Sequence, residues 1–308
     1  MDENIFPGSP GAASFVAIGD SFTEGLNDPA PCGGFRGWAD RLAGLLAAEH
    51  EGLRYANLAV RGKLLRQIVH EQVPAALALS PALVSIAGGG NDILRPGADP
   101  DTLAELFDAA VARLQQSGCR VLMFTGSDPA GFPVLRLLRG RIAAYNMHLR
   151  AIADIRGCYM VDLWSMRFLR HAAAWSPDRL HLTAESHQRV ALRACEVLGI
   201  PVADDWRVPR QDPHAIERVS AGVLATVGPG AVGSFAGQAS VTRYLAGRVP
   251  AGLASVSPAW LAARREDIRW AREYALPWVG RRLHGTSSGD DLPPKRPTLQ
   301  PVTPPITM

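Results

Sequence analysis

The chain has 308 residues, of which 47% are hydrophobic and 20% are charged, and its formal net charge is +3. This length and apolar content are sufficient for one large or two ordinary globular domains with a buried core. The small net charge excludes the strongly basic surface on which nucleic-acid binding depends, so we expect no nucleic-acid partner.

The N-terminal residues and the hydropathy pattern predict a cytoplasmic protein. Residues 1–14 contain acidic side chains and two prolines where a secretion signal needs a basic start and an apolar run. Charged residues interrupt every long apolar segment, so we expect no membrane span. The cysteines lack CxxC pairs, which favours free thiols over a disulfide framework or a zinc site. They are Cys32, Cys119, Cys158 and Cys195.

The first two thirds of the chain alternate short apolar runs with longer helical patterns. This alternation is typical of a parallel sheet covered by helices on both faces, which is a three-layer α/β/α sandwich. Open sheets of this kind bind ligands at the carboxyl ends of their strands. The predicted strands are 15–18, 55–59, 83–87, 121–125 and 159–163, and the predicted helices are 38–50, 64–79, 102–116, 134–155 and 184–198.

The composition changes after residue 200, so we assign residues 1–200 to one α/β domain. Residues 201–259 form a linker and a Gly/Ala-rich segment of unknown role, in which 216–256 is a candidate surface for a partner protein or a second copy. Residues 260–283 predict a mainly amphipathic helix, whose Trp and aliphatic side chains we expect to dock on the domain. Residues 284–308 are rich in Ser and Pro and predict a disordered tail.

Ser21 is the candidate nucleophile, because it lies in the polar turn that follows the first predicted strand. A serine hydroxyl needs a base within hydrogen-bond reach, and that base needs a group that holds its other nitrogen. His181 and Asp178 can fill these roles, since residues three apart on one loop can lie side by side. An isolated DxxH is more often a turn followed by a helix cap, so this pair depends on support from other parts of the chain.

Four short blocks give that support, and together they resemble the signature blocks of the SGNH hydrolases, the GDSL-type esterases and lipases. The blocks are GDS with Ser21, NLAVRGK with Gly62, GGGND with Asn91, and DRLH with Asp178 and His181. The resemblance covers about residues 14–200 and implies a flavodoxin-like, five-stranded parallel sheet. It implies a catalytic triad and an oxyanion hole, and no cofactor. The implied triad is Ser21, His181 and Asp178, and the implied oxyanion donors are the backbone N–H groups of Ser21 and Gly62 and the side-chain amide of Asn91.

Other polar residues beside these blocks have simpler interpretations. We interpret Asp20 and Asp92 as side chains that stabilise turns. Arg61, Lys63 and Arg95 are open as ligands for an acidic group of a substrate, or as ordinary surface cations. No His, Cys and Asp cluster has the spacing of metal ligands, so no metal site is expected.

The sequence therefore predicts a serine esterase that hydrolyses a small or medium acyl ester, such as a metabolite or a glycoside ester, through an acyl-enzyme on Ser21. An acyltransferase or a thioesterase could use the same site. An interaction module with a residual site is the alternative from another class. The blocks leave the acyl specificity open, and we expect it to depend on the loops 22–38, 95–101, 126–139 and 164–177.

Overall fold

The structure is a computed structural model, and it describes residues 5–6, 13–31, 33–132, 135–209, 269, 271–275 and 287–304. The chain divides into two compact units, one of Met1–Val208 with Tyr274–Met308, and the other Pro209–Glu273. Few residues of the second unit are described, so the predictions for 216–256 and for most of 260–283 lie outside the described residues. Within 260–283, Ala271–Ala275 forms one π-helical turn.

The first unit is built on a six-stranded sheet in the order β5-β4-β3-β1-β2-β6. The first five strands in the chain are parallel to one another, as predicted. β1 lies inside the sheet between β3 and β2, so its carboxyl end is at the point where the strand order reverses. The strands are β1 (Ser14–Ile18), β2 (Arg54–Asn57), β3 (Leu83–Ile86), β4 (Arg120–Phe124), β5 (Tyr159–Val161) and β6 (Arg296–Pro301).

The sixth strand corrects the prediction of a disordered tail at 284–308. β6 pairs antiparallel with β2, with Arg54 opposite Pro301 and Tyr55 opposite Gln300. The prolines of this strand are compatible with pairing because it lies at the sheet edge, where one side of its backbone needs no ladder partner. The sheet is therefore mixed, with five parallel strands and one antiparallel edge strand.

Helices cover both faces of the sheet. One face packs against α2 and α8, and the other packs against α4, α6 and α7. The α helices are α1 (Ser21–Glu24), α2 (Gly37–Glu49), α3 (Leu65–Gln67), α4 (Val73–Ala78), α5 (Gly90–Ile93), α6 (Pro100–Gln116), α7 (Arg139–Arg156) and α8 (Ala184–Leu198), with a π-helical turn at Ile68–Gln72 and 3-10 turns at Pro129–Gly131, Leu135–Leu138, Arg167–Arg170 and Ala172–Ala174.

β1 shows how the apolar residues position the site. Its side chains alternate between the two cores, so that Phe15 and Ala17 pack on the α2 side while Val16 and Ile18 pack on the α6 side. All four are fully buried, which fixes the register of β1 and hence the place where the chain leaves the sheet. Among the described residues, none of the helices has the length and apolar character that crossing a membrane requires.

Candidate active site

The short helix α1 holds Ser21 at the carboxyl end of β1. Asp20 caps this helix, since its side chain accepts a hydrogen bond from the backbone N–H of Phe22 at 3.1 Å. Gly19 lies against Ala87 and Thr23 so closely that a Cβ atom would be 2.6 Å from an oxygen of each. The turn between β1 and α1 is therefore tightly packed, and it places the Ser21 hydroxyl at the edge of the sheet.

The structure brings the three predicted triad residues together. Asp178 Oδ2 accepts a hydrogen bond from His181 Nδ1 at 2.6 Å, and Ser21 Oγ lies 2.9 Å from His181 Nε2. A carboxylate can only accept, so the ring proton is on Nδ1 and Nε2 is left to accept from Ser21 Oγ. The three side chains thus form one hydrogen-bonded chain in the order that general-base activation of a serine requires.

Asp178 is held in its charged form by its surroundings. Burial raises the pKa of this carboxyl, but the hydrogen bond and charge of His181 and the N–H groups of Leu180 and His181 outweigh burial and lower the pKa overall. Both N–H groups donate to Asp178 Oδ1 at 3.0 Å. The carboxylate is therefore fixed in orientation and ionised at neutral pH.

Asn27 is a fourth member of this chain that the sequence analysis missed. Its Nδ2 donates to Asp178 Oδ2 at 2.7 Å, across 151 residues of sequence. Its backbone has φ 69°, in the left-handed region that asparagine tolerates better than most residues. The only local signal is a polar residue in the turn after α1, and nothing in the sequence shows which residue it contacts.

The three predicted oxyanion donors line one cavity around Ser21. Gly62 has φ 75°, in the left-handed region that suits glycine, and it lines the same cavity as Ser21. Asn91 lies on α5, and its Nδ2 donates to Asp20 Oδ2 at 3.0 Å and to the Lys63 carbonyl at 3.1 Å. The Asn91 amide can therefore donate to an oxyanion when the oxyanion replaces one of these two acceptors or shares a hydrogen with it.

Asp20 has the most perturbed carboxyl among the residues that line this cavity. Burial raises its pKa to about 6, against the opposing effects of the Phe22 N–H, His181 and Asn91. Asp92 accepts from the backbone N–H of Leu65 at 2.9 Å, at the start of α3. Asp20 thus stabilises its own turn, as predicted, whereas Asp92 binds the backbone of a different loop, 27 residues away in the sequence.

Two of the three basic residues beside the blocks, Arg61 and Lys63, have acidic partners within the protein. Arg61 forms an ion pair with Glu24, whose side chain is 10% exposed, and Arg61 Nε donates to it at 3.0 Å. Lys63 Nζ pairs with Glu71 at 2.5 Å. These contacts favour a structural role for both cations over binding of an acidic substrate group.

The cavity around Ser21 has a volume of about 490 Å³. Of the four loops that we expected to set specificity, 22–38 contributes Phe22 and Leu26 to the wall, while 95–101 does not contribute. The other two loops, 126–139 and 164–177, also form part of the wall. Asp128 joins these two loops, because it binds Arg139 at 2.7 Å and Arg170 at 2.9 Å. Most of the wall is apolar, and it includes Phe124, Ile142, Leu149, Leu163, Leu169 and Trp175.

The C-terminal segment also reaches the cavity, which the sequence analysis did not anticipate. Tyr274, Ser287 and Ser288 contribute to the lining.

In the described part of the chain, no group of three or more His, Cys, Asp or Glu side chains is arranged to hold a metal ion. Cys119, Cys158 and Cys195 are free thiols, and Cys32 lies outside the described residues.

Solved structures share this fold at low sequence identity. An α/β hydrolase enzyme, LAE5, from the metagenome of Lake Arreo is 23% identical, with a TM-score of 0.54 over 61% of this chain and 95% of its own. Axe2, an acetylxylan esterase from Geobacillus stearothermophilus, is 21% identical, with a TM-score of 0.52 over 64% of this chain and 97% of its own. TesA is 24% identical, with a TM-score of 0.52 over 60% of this chain and 97% of its own.

The comparison of sequences is more specific than the comparison of folds. No curated protein matches the chain. The family model described as the GDSL-like Lipase/Acylhydrolase family matches residues 17–189, which is more than half of the chain. This range contains all five residues of the predicted triad and oxyanion hole. The chain therefore belongs to the GDSL-like lipase/acylhydrolase family of carboxylic ester hydrolases.

Proposed function

We propose that the protein is a serine esterase that hydrolyses a small or medium acyl ester through an acyl-enzyme on Ser21. The observation that carries the proposal is the hydrogen-bonded chain from Ser21 through His181 to Asp178, at a largely apolar cavity. A nucleophile, its base and the group that orients the base are thus within reach of one another, beside space for an acyl group.

In the proposed first step, Ser21 Oγ attacks the ester carbonyl carbon while His181 Nε2 takes the hydroxyl proton. The resulting imidazolium is stabilised by the Asp178 carboxylate, which accepts the Nδ1–H. The carbonyl oxygen becomes an oxyanion, and the backbone N–H groups of Ser21 and Gly62 and the Asn91 amide are the donors that we assign to it. Each such donor contributes about 3 kcal/mol to stabilising the transition state.

The intermediate then collapses, and the alcohol leaves with the proton from His181, so that the acyl group stays on Ser21. In the second half of the cycle a water molecule loses its proton to His181 and attacks the acyl carbon. The bond to Ser21 Oγ breaks, the proton returns to Ser21, and the carboxylic acid is released. Each proton that His181 takes is returned within the same half-cycle, so the cycle needs no cofactor.

The apolar wall of the cavity favours a substrate with an acyl group of several carbons. A ligand site of this kind obtains much of its affinity from apolar surface, and the wall of this cavity is formed mainly by aliphatic and aromatic side chains. Axe2 is an acetylxylan esterase, so an acetyl ester is the natural lower bound of the chain lengths to be compared.

The experiment that tests the proposal combines covalent labelling with an acyl-chain series. A fluorophosphonate probe should label the wild-type protein and leave Ser21→Ala unlabelled, and p-nitrophenyl esters from acetyl to dodecanoyl should be hydrolysed only by proteins that retain Ser21. Ser117→Ala is the matched control, because the Ser117 hydroxyl donates to the Leu114 carbonyl and to Cys119 Sγ at the end of α6 and does not line the cavity. Equal turnover by wild type and Ser21→Ala, with equal melting curves, would refute the proposal.

A further inference from the structure

The peptide group between Arg61 and Gly62 contains the Gly62 N–H that we assign to the oxyanion hole. No peptide bond among the described residues is cis, so the carbonyl of Arg61 and the N–H of Gly62 point in opposite directions in one rigid plane. Whatever fixes the Arg61 carbonyl therefore also fixes the direction of the Gly62 N–H. The contacts of Arg61 thus decide how this donor is aimed.

The amide side of Arg61 is held by the helix that carries the nucleophile. The backbone N–H of Arg61 donates to Glu24 Oε2 at 2.8 Å, and the guanidinium of Arg61 binds the same carboxylate. Glu24 is the last residue of α1 and lies three positions after Ser21. One buried carboxylate thus ties the nucleophile helix to the loop of the oxyanion donor.

The carbonyl side of Arg61 is held by the opposite end of the chain. Ser287 Oγ donates to the Arg61 carbonyl at 3.4 Å, which is a long hydrogen bond. Gly289 packs directly on this carbonyl, so that a Cβ atom at Gly289 would lie 1.9 Å from the oxygen and 3.0 Å from Val60 Cγ1. Only a residue without a side chain fits against the carbonyl in this position.

Residues 287–304, which we call the C-terminal strap, are themselves anchored at several points. β6 pairs with β2, the strand that precedes the Gly62 loop. Lys295 Nζ donates to the Glu24 carbonyl at 2.6 Å, to the Phe35 carbonyl at 3.0 Å and to Asp40 Oδ2 at 2.5 Å. The strap is therefore attached both to the sheet and to the end of α1.

We propose that the C-terminal strap is a positioning element of the oxyanion hole and that Gly289 is its positioning residue, because it sets the plane of the Arg61–Gly62 peptide. This inference rests on the proposed function for its catalytic consequence. Glu24 fixes the N–H of Arg61, while Gly289 and Ser287 fix the carbonyl of Arg61. With both groups of Arg61 held, the Gly62 N–H can point in only one direction. The family match at residues 17–189 does not include the strap, so this part of the site is contributed from outside the matched range.

Gly289→Ala is the test variant. The backbone of Gly289 is not in the left-handed region, so alanine is compatible with the local φ, and the atoms nearest its methyl group would be the oxygen and carbon of the Arg61 carbonyl and Val60 Cγ1. We expect kcat for a p-nitrophenyl ester to fall about 10- to 100-fold, since loss of a whole oxyanion donor costs about 100- to 1000-fold, while KM stays near wild type. The melting temperature should also fall, because the new methyl group displaces a backbone carbonyl. Gly140→Ala is the matched control, because no atom lies within 4 Å of a Cβ at that position, and it should keep wild-type kcat.

A second readout does not depend on turnover. In protein labelled with ¹⁵N-glycine, the Gly62 amide resonance should shift in Gly289→Ala and stay in place in Gly140→Ala. Ser287→Ala removes only a hydroxyl and serves if Gly289→Ala does not fold; it should move the same resonance and lower kcat about two- to fivefold, consistent with loss of one weak hydrogen bond.

The outcomes separate this inference from the proposed function. A wild-type kcat and an unmoved Gly62 resonance in a folded Gly289→Ala protein would overturn the role of the strap, while ester hydrolysis by the wild type would still stand. If Gly289→Ala does not fold, an unmoved resonance and wild-type kcat in Ser287→Ala overturn it in the same way. If the wild type hydrolyses no ester, the proposed function fails, and a shifted Gly62 resonance would still support the positioning by the strap.

Discussion

Replacing Asp178 by asparagine tests whether this carboxylate fixes the tautomer of His181. Oδ1 accepts from the backbone N–H groups of Leu180 and His181, and Oδ2 accepts from Asn27 Nδ2 and His181 Nδ1. All four of these partners are donors, so an amide NH₂ would face donors in either of its two orientations. The backbone N–H groups hold the oxygen of the new amide, and its NH₂ is directed at Asn27 and the imidazole.

The imidazole can relieve this conflict only by changing its tautomer. Nδ1 then accepts from the new amide and Nε2 carries the proton, so Nε2 no longer accepts from Ser21 Oγ. In a serine-protease triad the same tautomer error costs about 10⁴ in kcat. We expect kcat/KM of Asp178→Asn to fall about 10³- to 10⁴-fold, which corresponds to about 4 to 5.5 kcal/mol of transition-state stabilisation.

The assay is steady-state hydrolysis of a p-nitrophenyl ester at pH 7 to 8, with thermal melting of each protein. Asp108→Asn is the control, because Asp108 also binds side-chain donors but pairs with Arg156 at 2.6 Å, outside the cavity. It should retain the wild-type rate. If Asp178→Asn kept more than about a tenth of the wild-type kcat/KM with an unchanged melting curve, the assignment of the tautomer to Asp178 would be wrong.

Three further predictions use other parts of the site. Burial raises the pKa of Asp20 from 3.8 to about 6, so the free energy of unfolding should fall by roughly 3 kcal/mol as pH rises from about 4 to 6.5. In Asp20→Asn, denaturant unfolding should show no such fall over this pH range. Ile142→Trp fills part of the apolar cavity wall, and it should move the preferred ester toward shorter acyl chains without lowering kcat for the acetyl ester; an unchanged preference would exclude this part of the cavity as the acyl site. Lys295→Met leaves the Glu24 carbonyl and Asp40 without their cation, and it should lower the free energy of unfolding by about 2 kcal/mol, whereas no change would show that this anchor is dispensable.

The strands and helices of the first 200 residues could be predicted because their apolar residues repeat with the period of the element. Phe15 to Ile18 form a continuous apolar run, as a strand that is buried on both faces must. β6 has no such pattern, because the strand RPTLQP is mostly exposed and contains two prolines. Its stability comes from pairing with β2, and that partner is invisible in a local window of sequence.

The same distinction applies to the candidate site. Ser21, Asp178 and His181 could be nominated because each lies in a short block with a local pattern. The contact of Glu24 with Arg61 spans 37 residues and that of Asn27 with Asp178 spans 151. Single polar residues with distant partners carry no periodic signal, so only the folded chain reveals them.

The pairing of β2 with β6 also has a consequence for how the protein is made. Arg54 Nη2 donates to the carbonyl of Leu299, a residue 245 positions further along the chain. On the ribosome β2 is therefore complete long before its edge partner is synthesised, and at about 5 to 20 residues per second the delay is on the order of 10 to 50 s. During that interval β2 is an open sheet edge, which can pair with other extended chains. A nascent chain released before Arg296 would keep that edge exposed, so we expect prematurely terminated chains to be the most aggregation-prone forms of this protein.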